Sequence, residues 1–566
     1  MTKRSLRRLL VTAGSWSLAA LGPLACRDRA APAPEPEERS FFGQVQSSLE
    51  DLGGQPLIAA SWSGEFRPYV FTGDGYRPLV VDRGGRLARV DLYRPTPLSA
   101  DEILMTGQAA GRRAFDIYVL RLGDDAPVNL TATPDVDEGD LCVASGSRVL
   151  AYRAGDREVF ARFARGRLEP IVSAPAMLGL RECVWLDAGH LVGVSGRVPP
   201  FHLTECRLGQ SSVECHERQR AMENIVEVTD LTAGPGRGAG SAPGPKVAYL
   251  TALARDRPFR TVFALRAGEP GLDPIAPPEA DSDLLDWSPG MWRTGRQGRY
   301  RSNLAPASPA TIFLARRFGE RVFAIAADPT TPRTLAVLEG AEWRLEPQPG
   351  HDAPSHVWPP RELWTESPRG ERYQSFYFGP PAATRVVVWF HGGPRENVSP
   401  RFNPYFHALN RLGFAVVALN YPGSTGRGAA YEARFAEPGA LDDALRSVWD
   451  HLRRHQVSTI VSWSVSAGRR LPRVLLEGRF PLSAIVDQAG FGNADLVAAA
   501  ARSRVPVFSI RGRHDVYGPG THVDFLYDGG HDITHYRDFA ELFARVRTFL
   551  SSVGQVRWSG PGGLGP

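Results

Sequence analysis

The 566-residue chain has no long run of charge of one sign: 66 basic and 61 acidic residues give a net +5, spread along its length. A dispersed small charge makes no basic stripe for a nucleic-acid backbone, so no nucleic-acid partner is expected. There is no metal-ligand spacing and no glycine-rich phosphate loop, and thus no implied cofactor or metal. Helical periodicity is scarce over the first 350 residues. Cysteine is also scarce, at five residues. The single apolar run, Leu9 to Ala25, is too short for a confident spanning helix. With Lys3, Arg4, Arg7 and Arg8 ahead of it, it has the order of a secretory signal.

At this length one hydrophobic core is exceeded, and two or more domains are expected. Residues 1–25 read as the signal, and 26–39, with the stretch Ala31 to Glu38 (APAPEPEE), as a stiff, extended tether. From residue 40 to 349, short β-rich runs are broken by Gly, Pro and Asp. Examples are Leu57 to Ser61, Glu102 to Thr106, Val247 to Thr251, Thr311 to Ala315 and Thr334 to Leu338. A weak internal repeat sets Cys142 41 residues before Cys183, the period of one propeller blade. The expectation is a β-propeller of six or seven blades, with a β-sandwich array as the competing arrangement. Gly234 to Pro245 reads as a mobile loop between blades. Residues 350–370 read as a linker.

From residue 371 to 554 short apolar runs alternate with helical segments, the pattern of a mostly parallel sheet covered by helices, followed by a flexible tail at 555–566. Val386 to Phe390 is a buried-strand run that ends in His391-Gly392-Gly393-Pro394. Phe402 to Leu412 reads as a helix, Phe414 to Asn420 as a strand, and Leu441 to Arg454 as a helix. A β-branched run, Val457 to Val461, leads into Ser464-Val465-Ser466-Ala467-Gly468, a strand, tight turn and helix with a serine at its apex. Asp487 follows the strand Leu482 to Val486 and reads as a turn residue. Asp442 and Asp443 begin a helix, where acidic residues suit the dipole. His514, His522 and His535 read as surface or loop residues. Phe539, Leu542, Phe543, Val546, Phe549 and Leu550 have the spacing of a helix docked on a sheet.

These motifs carry a resemblance. The order HGGP, LGFAVVALNYPGSTGRG, a serine elbow, PVFSIRGRHD and GGH resembles the prolyl oligopeptidase family of serine peptidases, closest to its acylaminoacyl-peptidase and dipeptidyl-aminopeptidase branch. The stretch Asp116 to Leu122 with Val128 to Thr131 looks like the outer strands of bacterial propeller repeats. The resemblance implies a propeller followed by an α/β-hydrolase domain. It implies Ser466 as nucleophile, Asp515 as acid and His531 as base. Gly392, Gly393 and Ala467 would hold the oxyanion, and peptides would be the substrates. Two other readings stay open: a catalytically impaired, hydrolase-like binding protein of the cell envelope, and an esterase acting on non-peptide acyl groups.

The chain departs from the family pattern in four places. Ser464 and Arg469 stand where the elbow usually has glycines. Pro472 falls inside the next helix, which predicts a kinked or late-starting helix. Only nine residues, Arg513 to Thr521, precede the expected strand His522 to Tyr527. A helical parallel crossover takes roughly a dozen. A hairpin there would leave His531 roughly 20 Å from Asp515, whereas a Gly/Pro loop running back along the sheet would keep the strands parallel and the pair together.

Leu-Gly-Pro-Leu-Ala-Cys resembles a bacterial lipoprotein cleavage site with Cys26 as the lipidated residue, implying an exported, membrane-anchored protein of the cell envelope. In an exported chain Cys206 and Cys215, which flank a short polar hairpin, are placed to form a disulfide. Cys142 and Cys183 read as buried small apolar residues.

Overall fold

The computed structural model describes residues 49–556 apart from short loop segments, the longest being 81–89, 218–224, 237–243, 285–291 and 350–356. The signal, the tether and Cys26 lie outside the described residues.

Residues 50–345 form six antiparallel four-stranded sheets and one of three strands, each taken up by consecutive stretches of chain. Successive sheets pack side by side, as where the first strands Glu138–Ala144, Glu182–Asp187 and Ile225–Gly236 lie beside one another, which arranges the sheets as propeller blades. The ring closes on side chains. Leu49, Ile58, Tyr69 and Phe71 of the first blade share a core with Phe318, Phe323, Ile325 and Val337 of the last, and Arg316 of the last blade pairs with Glu50 of the first. Cys142 and Cys183 occupy equivalent first strands in neighbouring blades, Glu138–Ala144 and Glu182–Asp187, as the 41-residue repeat requires. Cys142 is buried and Cys183 only half-buried. Cys206 and Cys215 face each other across a hairpin and are joined by a disulfide, with Cα atoms 4.1 Å apart.

One loop expectation is corrected. Both ends of Gly234 to Pro245 belong to a β-hairpin within one blade, with Gly234 opposite Val247, Pro235 opposite Lys246 and Gly236 opposite Gly244, while 237–243 lie outside the described residues. The ladder extends into the glycine-rich stretch because backbone hydrogen bonds need no side chain.

The C-terminal sheet has eight strands: β1 (Arg361–Glu366), β2 (Arg372–Phe378), β3 (Arg385–Phe390), β4 (Ala415–Asn420), β5 (Thr459–Val465), β6 (Ala484–Gln488), β7 (Val507–Gly512) and β8 (Phe525–Tyr527). Their order is 1-2-4-3-5-6-7-8, antiparallel at β1, β2 and β4 and parallel thereafter. The domain therefore takes up the chain at Arg361, ten residues before the pattern change at Glu371, because β1 is an amphipathic edge strand paired to β2.

Strand β3 shows why the sheet is sandwiched. Val386, Val388 and Phe390 point into one core, with Leu445 and Trp449 of helix α3 (Ala440–Arg454). Val387 and Trp389 point into the other, with Phe406 of α1 (Pro404–Arg411) and Leu542, Phe543 and Val546 of α6 (Tyr536–Ser551). Period-two alternation of bulky apolar residues on both faces is what a strand covered by helices on each side needs. Two shorter helices, α4 (Arg470–Glu477) and α5 (Ala494–Arg502), follow β5 and β6, and α2 (Ala429–Ala433) follows the glycine-rich loop after β4.

The hairpin alternative at the end of the sheet is ruled out: β8 is parallel to β7, with Gly512 opposite Tyr527. The strand starts at Phe525 rather than His522, so the connection reaches the dozen residues that a parallel return requires.

The propeller and this domain are tied by a bidentate ion pair, Arg260 Nη1 to Glu432 Oε1 at 2.6 Å and Nη2 to Oε2 at 2.9 Å, both side chains 6% exposed. Fork-to-carboxylate geometry of this kind fixes orientation as well as proximity.

Candidate active site

Ser466 stands at the end of β5 with φ of +48°, a left-handed conformation that a non-glycine residue adopts only under constraint from its surroundings. The constraint is the turn itself, which passes from the strand into a short 3₁₀ turn, Ser466–Arg469. Gly468 lets that turn pass the preceding loop: a Cβ there would lie 2.5 Å from His391 O and 2.8 Å from Phe390 O. Arg469 runs past Gly490, where a Cβ would stand 3.0 Å from its Cδ, and ends with Nη1 3.9 Å from Asp495 Oδ1, so the missing second glycine is tolerated. Pro472 falls in the first turn of α4, where its absent N–H costs no intrahelical bond. The helix starts late rather than bending.

The Gly392 loop lies against the elbow, such that a Cβ on Gly392 would be 3.5 Å from Ser466 Cβ. Gly393 has φ of +104°, a turn that suits glycine. Beneath them His391 is fully buried. Burial pushes its pKa down to about 4, partly offset by its bond to Gly392 O, so the ring is neutral near pH 7. Nδ1 lies 2.7 Å from Gly392 O and Nε2 2.7 Å from the Ser424 hydroxyl, which itself donates to Tyr421 O at 2.7 Å. Tyr421 stacks on the ring, centroids 4.3 Å apart, and donates its hydroxyl to His391 O at 2.7 Å. These contacts hold the loop through carbonyls and side chains. Ala467 is the second residue of the 3₁₀ turn, where a backbone N–H has no intrahelical partner.

His531 Nδ1 donates to Asp515 Oδ2 at 2.9 Å, and the Asp515 side chain is 1% exposed while His531 is 27% exposed. The Gly529-Gly530-His531 loop is clamped by Tyr527, whose hydroxyl donates to Gly530 O (2.8 Å) and His531 O (2.9 Å). It is also seated on Gly512 at the end of β7, where a Cβ would stand 1.8 Å from Gly530 O. Of the other histidines, His522 is a surface residue 3.2 Å from Asp524, and His514 and His535 lie outside the described residues.

Residues that the sequence did not single out complete the site. Asp487, read as a turn residue, is the fourth residue of β6 and fully buried. Its Oδ2 accepts from Arg511 Nη2 at 2.6 Å, its carbonyl from Arg511 Nη1 at 2.9 Å, and its Oδ1 from the Ser464 hydroxyl at 3.4 Å. The strand continues past the apolar run because this pair satisfies its charges internally. Ser464, in place of the elbow's first glycine, fits because it is small and its hydroxyl has this partner. The signal was present as an arginine inside a strand without another charge, Val507–Gly512, which needs a buried anion nearby.

By sequence, no family profile and no curated protein matches the chain. Its fold, in contrast, matches solved structures along nearly all of both chains. An acylaminoacyl peptidase in complex with Z-Gly-Gly-Phe-chloromethyl ketone superimposes with a TM-score of 0.65 at 12% identity, covering 93% of this chain and 98% of that one. A puromycin-hydrolyzing peptidase of Mycobacterium tuberculosis gives 0.65 at 14%, covering 92% and 95%. A puromycin hydrolase gives 0.66 at 14%, covering 92% and 96%. The molecule is a β-propeller joined to an α/β-hydrolase domain. That two-domain fold is the one of the prolyl oligopeptidase family.

Proposed function

We propose that this chain is a serine peptidase that cleaves small peptides through an acyl-enzyme intermediate. The observation that carries the proposal is the pairing of His531 with Asp515 at the same sheet end as a serine held at positive φ against a glycine loop. With Nδ1–H donated to Asp515, the Nε2 lone pair is the one left to accept a proton. His531 takes the Ser466 hydroxyl proton as Oγ adds to the carbonyl carbon, and Asp515 stabilises the imidazolium. The tetrahedral oxyanion is held by Ala467 N–H and an N–H of Gly392 or Gly393. Collapse breaks the C–N bond, and His531 passes its proton to the leaving amine. Water then repeats the sequence and frees Ser466. The peptidase names of the structures sharing this fold favour amide over ester substrates. Hydrolysis of short peptide p-nitroanilides, abolished in Ser466→Ala, tests the reading. Turnover of p-nitrophenyl esters alone would replace it with an esterase.

We further propose export and anchoring through a lipid on Cys26. The disulfide between Cys206 and Cys215 supports export, since such bonds persist in oxidising compartments. A radiolabelled lipid precursor should mark the wild type and not Cys26→Ser; label retained by the variant would overturn the assignment.

A further inference from the structure

Two carboxylates are buried close together where the second blade passes into the third. Asp116, 4% exposed, opens the third strand of the second blade, Asp116–Arg121, and Glu138, 3% exposed, opens the first strand of the third blade, Glu138–Ala144. Thr133 touches both, its N–H donating to Asp116 Oδ1 at 3.2 Å and its hydroxyl to Glu138 Oε1. Asn129 Nδ2 donates to Asp116 Oδ2 at 2.9 Å, and the Thr131 hydroxyl stands 3.5 Å from Oδ1. Glu138 Oε2 is buried with no hydrogen-bond partner among the described residues. Arg153 runs past Gly139, next to Glu138 in the chain, but pairs with Asp137, Nη1 to Oδ2 at 2.9 Å. Among the described residues, every hydrogen bond that Asp116 and Glu138 receive thus comes from a neutral group, and neither carboxylate makes an ion pair. Buried charge is costly unless a counter-charge meets it.

We infer that Asp116, Thr131, Thr133 and Glu138 form a calcium site that ties the second blade to the third. Two carboxylates balance the charge of one divalent ion. All the donors are oxygens, which suit calcium or magnesium rather than the softer transition metals. With both carboxylates bidentate, the four side chains offer about six oxygens, the lower end of calcium's range. The spacing agrees. Two oxygens bound to one calcium at about 2.4 Å and at right angles lie roughly 3.4 Å apart, and Thr131 Oγ1 to Asp116 Oδ1 is 3.5 Å, long for a hydroxyl hydrogen bond. Magnesium demands a tighter octahedron and keeps several waters, which a buried cage of side chains does not favour. The donors stand at positions 116, 131, 133 and 138, an irregular series that the blade junction brings together, so no metal-ligand pattern shows in the sequence.

Electrostatics supports a cation. Burial pushes the Glu138 carboxyl up most, and Asp116 and Asp137 add to it, against the Thr133 and Thr131 hydroxyls, which pull it down. A carboxylate that its surroundings disfavour as an anion gains most from a positive ion at its unpartnered oxygen.

The test uses the full chain stripped with EDTA, and calcium chloride as the probe. Equilibrium dialysis with radioactive calcium should find one ion per chain, and saturating calcium should raise Tm by about 5 °C or more. Glu138→Gln keeps the side chain's shape and its acceptor for the Thr133 hydroxyl but drops one charge. It should weaken calcium binding about 10-fold or more and remove most of the Tm shift. In EDTA it should melt no lower than the wild type, since a buried, unpaired charge has gone. Asp116→Asn, which removes the other charge, should weaken binding likewise, so the outcome does not hang on one variant folding. A wild type that takes up no calcium carries a proton on Glu138 in its place and overturns the assignment. So does a Tm shift that both variants retain in full.

Discussion

Gly512→Ala should lower kcat by about 100-fold or more, with little change in KM. The added methyl cannot coexist with Gly530 O, 1.8 Å from its position, or with Gly529 O at 2.5 Å. Both contacts are backbone, so no side-chain rotation relieves them. Gly512 itself is an ordinary strand residue opposite Tyr527, so what gives way is the loop carrying His531. A displacement of about 1 Å in a catalytic group is worth on the order of 100-fold in rate. In the proposed mechanism His531 moves a proton rather than holding substrate, so the loss falls on kcat. Steady-state kinetics on a peptide anilide checks this, with circular dichroism confirming that the sheet persists. Near-wild-type kcat would show that the histidine loop does not depend on this seat.

Asp487→Asn should destabilise the C-terminal domain by about 3–5 kcal/mol, the usual cost of removing one partner from a buried ion pair. Arg511 is fully buried and held by the Asp487 carboxylate and carbonyl together with Ile510 O. Without the carboxylate its charge stays in the core uncompensated. Replacing both residues, Asp487→Asn with Arg511→Met, should recover much of the loss, because neither charge then remains to be solvated. Urea denaturation of the two single variants and the double variant measures the coupling. Additive losses, or a cost under about 1 kcal/mol for Asp487→Asn, would contradict a structural role for the pair.

Much of this architecture was readable in the chain because it rests on local patterns. Val386 to Phe390 declares a doubly covered strand by its unbroken apolar run. The residues from Phe539 to Leu550 declare a docked helix by their spacing, and the serine elbow declares itself by small residues around a strand end. What was not readable depends on distant partners. Asp487 looks like a turn residue until Arg511, 24 positions later, is brought beside it. The topology after β7 was ambiguous because it turned on where β8 begins, and three residues decided between a hairpin and a parallel return. Arg469 seemed too large for the elbow because the glycine that makes room for it, Gly490, is 21 positions away. The Gly512 seat could not be foreseen at all, since its only sign is the absence of a side chain where another loop passes.

The central claim is that Ser466 is made nucleophilic by His531 and Asp515, and the most direct measurement is the site at which a fluorophosphonate probe attaches. Only an activated serine reacts with such a reagent at a useful rate. Mass spectrometry of the labelled wild type should place the adduct on Ser466, with labelling abolished in Ser466→Ala, strongly slowed in His531→Gln and retained in Ser464→Ala. A wild type that takes no label, or an adduct on Ser464 that persists in Ser466→Ala, would contradict the account.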